Sequence, residues 1–583
     1  MRVHSARHSL AARRCFPAKG SCDRPGIESD ELLAFVHSRA GALAFRARDC
    51  VSLRAAFQWL AGVTAVIGLM ATAAMRADGR PSIAFVPLDD RPVTLQLPVM
   101  LGAIAGVDVV VPPRAIVGRY LEPGMPDAIL GWLSSDATRD AFASVVSTDM
   151  IAYGGLVASR TPSVPQGLAI TRLRTLATTR ATRASQRFEL FGTIMRLAPT
   201  GVPKLGAAAT YFAAGPAVEA ITAYANLPDP PGTDAERAKA AQLRAQIGAP
   251  LLDAYLATRA RNRNVDQFVL QQLAQGDYDR VVLGQDDAGP QGLHIADVRA
   301  LRSFAARWGL RDRSSIEPGA DELGMALVAR ALAVHIGWTP SVHVTYSRAN
   351  GGAVNDPLEF APIDTTVDNL IRSCGARRVG AGGEIELFVR ITGTSPSDES
   401  AFVDGIAQAT AAGTLTAIAD LTFLDGSMEE QRALVETLVA RKLAGTVAAF
   451  ASWNTTANTV GTALPEAIAV GAGRRSGTYD KTMHAQFAID RYADDYIFHD
   501  FVRPQLNRRL TEEGVSDHTY LLPDAASRTA SLNRKRLWPL VLDLIQQIAP
   551  NYGNAGLTIT LPWDRTFETE LDVRLSPGGP HPH

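Results

Sequence analysis

Ile83-Ala-Phe-Val-Pro-Leu runs straight into Asp89-Asp90-Arg91, and the same arrangement recurs along the chain. Phe142-Ala-Ser-Val-Val-Ser-Thr runs into Asp149, then Tyr153-Gly-Gly155. Arg280-Val-Val-Leu-Gly-Gln runs into Asp286-Asp287, and Ser315-Ile-Glu-Pro-Gly-Ala into Asp321-Glu322. Val447-Ala-Ala-Phe-Ala-Ser-Trp453 runs into Asn454 and Asn458. Short apolar, β-branched runs read as buried strands, and helical stretches separate most of them. In βα architectures the loops after the strand carboxyl ends build the active site. Asp and Asn also end strands as turn formers and helix caps. Capping accounts for single positions better than for five clusters, and poorly for paired acids.

Working outward, the spacing predicts strands near residues 83–87, 107–111, 144–148, 188–195, 281–284, 316, 342–346, 386–391, 416–423 and 447–452. Helices are expected at 95–104, 323–334 and 429–443. An Ala-, Arg-, Gln- and Leu-rich stretch at about 205–275 reads as a helical insertion. Roughly eight principal β units alternating with helices predict an α/β fold, a (β/α)₈-barrel-like catalytic domain over 81–480. The alternative is an open doubly wound sheet. Residues 481–583 read as helical, ending in a small β appendage. No Gly-x-Gly-x-x-Gly follows the first strand, and the chain has no Walker-type loop, no His-Glu-x-x-His and no internal repeat.

The chain has 583 residues, 46% of them hydrophobic and 20% charged, so a packed globular protein is expected. A net charge of -1 gives no footprint for nucleic acid. Arg172, Arg174, Arg180, Arg183 and Arg187 read as a solvated face. Arg54 precedes an apolar stretch, residues 55–70, and then Ala71-Thr-Ala-Ala74. A basic start, an apolar run and small residues describe a signal peptide over 51–74, with an uncleaved membrane anchor as the alternative. Residues 1–50 read as a non-native or disordered extension, with Val51 an alternative start. Export to the periplasm or outside the cell is expected, with membrane contact only through that anchor. Cys15, Cys22 and Cys50 fall before residue 51, which leaves Cys374 alone and excludes an internal disulfide or a Cys-based metal site in the exported chain.

Asp286 and Asp287 are the candidate catalytic pair. Two close carboxylates cannot both ionise cheaply, so one pKa rises and the dipeptide supplies an acid and a base. Glycosidic bond cleavage needs that combination. Trp453, Asn454 and Asn458 offer an aromatic platform and amides for sugar hydroxyls. Asp89, Asp90, Arg91, Asp149, Tyr153, Asp321, Glu322 and Tyr346 are further candidate binding residues. Arg91 and Arg196 suit a carboxylate or phosphate, although Asp89 and Arg91 also suit an internal ion pair. His294 and His343 lack a second His at ligand spacing. No cofactor and no metal ligand set is expected.

At these motifs the chain resembles an uncharacterised bacterial family, domain of unknown function 4127. The resemblance rests on Val86-Pro-Leu-Asp-Asp-Arg-Pro92, Asp149-Met-Ile-Ala-Tyr-Gly-Gly-Leu-Val-Ala-Ser-Arg160, Gly284-Gln-Asp-Asp287, Gly319-Ala-Asp-Glu322 and Trp453-Asn-Thr-Thr-Ala-Asn458. It covers most of residues 81–565 and implies no activity. Asp286-Asp287 also resemble the paired acids of the substrate-assisted β-N-acetylhexosaminidases. That likeness implies a (β/α)₈ barrel, with Asp286 orienting an acetamido group and Asp287 as general acid. Asn454 and Asn458 are similar to an Asn-bearing segment of that family, whose Trp-Thr-Gly segment has no counterpart here. The expected function is an exported glycoside hydrolase acting on amino-sugar glycans, with carbohydrate as its partner. The alternatives are a metal-dependent phosphate- or acyl-ester hydrolase, with Asp89, Asp149 and Asp286 binding Mg²⁺ or Ca²⁺, and a non-catalytic glycan-binding protein.

Overall fold

The strands β1 (Ser82–Val86) and β3 (Ala143–Ser147) lie side by side and parallel, completely buried, as their apolar runs require. β2 (Asp108–Val110), β4 (Arg187–Ile194), β5 (Arg280–Gln285) and β6 (Ser314–Pro318) complete a six-stranded parallel sheet in the order β2-β1-β3-β4-β5-β6. A second parallel sheet follows, built from β7 (Ser341–Tyr346), β8 (Arg377–Arg378), β9 (Ile385–Arg390), β10 (Leu415–Asp420) and β11 (Ala449–Ala451). Its order is β11-β10-β9-β7-β8. The computed structural model describes residues 79–200, 215–425 and 428–578. The extension expected at 1–50, the signal segment at 51–74 and residues 205–214 of the insertion lie outside the described residues.

The protein is α/β, as expected, but the single closed barrel is not what forms. Among the described residues both parallel sheets are open. In each, the chain enters one strand in from an edge, adds the edge, then reverses past its starting point. This is doubly wound topology, the alternative reading, occurring twice. Counting strands cannot distinguish eight in a ring from two shorter rows.

Side-chain alternation along the strands sorts the cores. Ile83 and Phe85 face a central layer shared by both sheets, whereas Ala84 and Val86 face the outer helices of the first sheet. Leu387 and Ala417 join the central layer, and Phe388 and Ile418 face the opposite side. Two helices fill the centre, Leu323–His335 and Thr456–Ser476. The second is buried from Thr456 to Gly473, which its Ala, Gly and Thr content permits. Three helices, Gly215–Ala225, Asp234–Ile247 and Ala249–Gln275, stand between β4 and β5. The far side of the second sheet is covered by the helix Pro523–Ile548 and the antiparallel hairpin β12 (Tyr552–Thr560) and β13 (Glu570–Pro577). Among the described residues no helix is long and apolar enough to cross a membrane.

Candidate functional site

The carboxyl ends of the two sheets meet. β1 delivers Asp89, Asp90 and Arg91 in a turn, and each takes a different direction. Asp89 accepts from the Arg91 backbone N–H at 3.1 Å, from Arg91 Nη2 at 2.8 Å and from Thr94 Oγ1 at 2.6 Å. Arg91 then reaches the end of β6 and donates to both oxygens of Asp321, at 2.6 and 2.9 Å. Burial works to raise the Asp321 pKa, but the Arg91 guanidinium outweighs it and holds the carboxyl below its usual range. Arg91 therefore bridges two acids and is not an open clamp for a substrate anion. Asp90 turns away and accepts the Trp563 indole N–H at 2.7 Å.

β5 delivers Asp286 and Asp287. Asp286 Oδ2 accepts from Arg160 Nη2 at 2.5 Å, and both side chains are buried. Asp287 is lifted to about 6 by burial and then by the charge of Asp286, against the pull of Arg196. Arg196 in turn falls to about 10 through burial and the nearby charge of Arg160. Two acids and two arginines thus share one neighbourhood, with Asp286 and Arg160 buried and Asp287 and Arg196 half-buried. A cavity of about 10 Å³ lies among Asp286, Asp287, Asp321, Glu359 and Asn458, room for about one water.

The helix Thr456–Ser476 closes the other side. Asn458 donates to Glu322 Oε2 at 2.7 Å, and Asn454 donates to Asn458 Oδ1 at 2.6 Å. Its capping side chain is Thr455, which accepts from the Asn458 N–H at 3.2 Å, so neither asparagine is the cap. Glu322 stands at the N-cap position of Leu323–His335, but its side chain makes no capping bond there; its Oε2 accepts the Ala320 N–H at 3.2 Å. Two further N–H groups of the first turn of Thr456–Ser476 point at carboxylates from the loop after β7. Thr456 N–H reaches Asp356 Oδ2 at 2.7 Å, and Ala457 N–H reaches Glu359 Oε1 at 2.6 Å. Burial, then Asp356, raises Glu359 to about 8.

The contacts join Asp89, Arg91, Asp321, Asp286, Asp287, Arg196, Glu322, Asn454 and Asn458 around this junction. Other candidates take partners outside this set, although Asp149 lies near enough to Asp286 to feel its charge. Asp149 is buried and pushed up to about 7; its Oδ2 accepts the Thr193 N–H at 2.7 Å, tying β3 to β4. Tyr153 packs beneath the Arg261 guanidinium at 4.4 Å. Tyr346 bonds Asp364 at 2.7 Å in a separate groove on the second sheet. Trp453 donates its indole N–H to Thr462 at 3.1 Å and lines a second cavity rather than the one between the acids. His294 faces the Gly289 carbonyl at 2.9 Å, and burial drops it to about 4. His343 pairs with Glu386 at 2.6 Å.

Arg160, Asp356 and Glu359 were not singled out from sequence as site residues. Arg160 stands in the Asp149-to-Arg160 motif, and its final charge after an apolar stretch was the available signal. Asp356 and Glu359 follow Asn350-Gly-Gly352 without any apolar run to mark them. Among the described residues no three His, Cys, Asp or Glu side chains group to hold a metal ion. Asp89, Asp149 and Asp286 bond three different partners.

Residues 83–572 match the family described as a protein of unknown function, DUF4127. The chain belongs to that family. No curated protein and no solved structure matches the chain. The resemblance to the β-N-acetylhexosaminidases is therefore unsupported, and the open sheets do not supply the barrel it implied. Asp286, Asp287, Asp321 and Asn458 line the small cavity at the sheet junction, and Arg160 binds Asp286 there.

Proposed function

We propose that the protein is a glycoside hydrolase whose acid and base come from Asp286-Asp287, with amino-sugar glycans as the substrate class. The observation that carries this reading is the contrast between the two neighbours. Asp286 is fixed against Arg160, while Asp287 holds a proton up to about pH 6. Asp287 would protonate the departing glycosidic oxygen. Asp286 would serve as the second carboxylate, acting on water or on a substrate group beside the anomeric carbon. The one-water space between these acids and Asn458 suits a hydrolytic reaction. Arg196 and Asn458 supply donors for hydroxyls at the same place.

The test is release of new reducing ends from β-1,4-linked N-acetylhexosamine oligosaccharides, with and without a chelator. Turnover that survives the chelator and disappears in Asp287→Asn supports the reading. Turnover that needs a divalent metal would replace it with the ester hydrolase, and binding without turnover with a glycan-binding protein. We also propose export, on the basic, apolar and small-residue pattern of 51–74. N-terminal sequencing of the secreted protein should find a start near residues 74–78, and peptides from residues 1–50 in it would contradict export by this signal.

A further inference from the structure

We infer that a second cavity, next to the paired acids, is a subsite for one neutral sugar ring of the substrate. This rests on the glycosidase reading and extends it. The cavity measures about 210 Å³, against about 10 Å³ between the acids themselves, so of these two neighbouring spaces the larger is the one with room for a ring. Two bridges join the spaces. Asn454 lines the larger one and donates to Asn458, which lines the smaller. Arg91 binds Asp321 of the smaller, and the next residue, Pro92, lines the larger.

The walls are aromatic: Trp453, Phe423 and Phe567. Sugar rings present apolar C–H faces, and such faces stack on aromatic rings. The polar lining falls into two groups. One is already satisfied. Asp495 takes the Ser452 N–H and Arg491, each at 2.8 Å. The two ring nitrogens of His499 face the carbonyls of Asp494 and Phe567, at 2.8 and 3.1 Å. The other group is open. Arg503 packs 5.4 Å over Phe567, and its guanidinium makes no hydrogen bond among the described residues. Glu568 takes Arg565 on Oε1 at 2.6 Å, leaving Oε2 without a partner among them. Asn454 likewise has its carbonyl oxygen open, held at a φ of 55° in the left-handed region.

One donor fork and two acceptors, set around aromatic walls, complement vicinal hydroxyls, which both donate and accept. A carboxylated ring would meet Asp494, Asp495 and Glu568. An amine would meet Arg491 and Arg503. A neutral ring avoids both penalties.

The probe is the β-1,4-linked N-acetylglucosamine disaccharide, titrated calorimetrically into Asp287→Asn, which blocks turnover. Adding Arg503→Met keeps the side-chain stem and removes the donors. We expect about tenfold weaker binding with an unchanged melting temperature, as for the loss of one charge-assisted hydrogen bond. Phe567→Leu, which removes one wall, should weaken binding in the same direction and stands in if Arg503→Met does not fold. Equal affinity in folded variants of both kinds overturns the subsite, even with wild-type turnover intact. Tighter binding of an oligogalacturonate than of the disaccharide overturns the neutral-ring assignment. Absence of both binding and wild-type turnover removes the glycosidase reading and the subsite with it.

Discussion

Asp286 and Asp287 are adjacent in sequence, yet their surroundings differ. Asp286 sits against Arg160, whereas Asp287 carries the burial penalty and the charge of its neighbour. On the proposed mechanism activity declines as pH rises past about 6, where Asp287 loses its proton. Asp286→Asn removes the neighbouring negative charge and frees Arg160. Both changes lower the Asp287 pKa, so the alkaline limb of the residual activity should move to lower pH. A pH–rate profile with an unmoved limb would contradict the assignment. Gly319 is a second residue-scale test. Its φ of 106° lies where only glycine is comfortable, and an added Cβ would meet Glu322 Oε1 and the Ala457 Cβ. Gly319→Ala should cost about 1–3 kcal/mol of stability, measured by denaturant unfolding, and displace Glu322 from Asn458. The paired acids were legible because they end an apolar run. Arg160 was not, since its partner Asp286 lies 126 residues away and no local pattern announces it.

At the scale of elements, the buried strands were readable from their apolar runs, and β8 was not. It is two exposed arginines long and pairs only with the start of β7. Trp453 illustrates a different difficulty. An aromatic followed by amides suggests an open sugar platform, but the helix Thr456–Ser476 claims its indole N–H. That helix also depends on the loop after β7. Glu359 accepts from the Ala457 N–H and the Thr366 hydroxyl, each at 2.6 Å, and its pKa stands near 8 instead of 4.5. The native state therefore keeps a proton that the unfolded chain releases. This contribution to stability is complete below about pH 4.5 and is lost as pH rises through 8. Glu359→Gln keeps the uncharged shape, with its amide turned to the Thr366 hydroxyl. Its melting temperature should fall less than that of the wild type between pH 5 and 9. An equal decline in both proteins would show that Glu359 is not the titrating group.

For the whole molecule, what sequence reading lacked was strand order. The run of β units was visible, but pairing is set by which faces bury together, and that is decided by the two central helices. The C-terminal hairpin, read as an appendage, reaches both sheets. It packs on the far side of the second sheet, while Arg114 binds Glu570 at 2.8 Å and Trp563 binds Asp90 at 2.7 Å. Trp563 also stacks on Tyr120 with centroids 4.9 Å apart and lies under Arg91 at 4.7 Å. Trp563→Phe keeps an aromatic side chain but leaves an Asp90 oxygen without its donor and a void where the indole was larger; together these should cost at least about 1–3 kcal/mol in denaturant unfolding. No loss of stability would mean the clamp between the hairpin and the β1 turn is incidental.

The central claim is that Asp287 delivers a proton to the leaving group. Its most direct test compares two substrates of one sugar, a nitrophenyl glycoside and a natural oligosaccharide, in wild type and Asp287→Asn. Nitrophenolate departs without protonation, whereas a sugar alkoxide does not. In Asp287→Asn, kcat for the oligosaccharide should fall by about 10²–10⁴-fold and that for the nitrophenyl glycoside far less, with an unchanged melting temperature. Equal losses for both substrates, or retained oligosaccharide turnover, would contradict it.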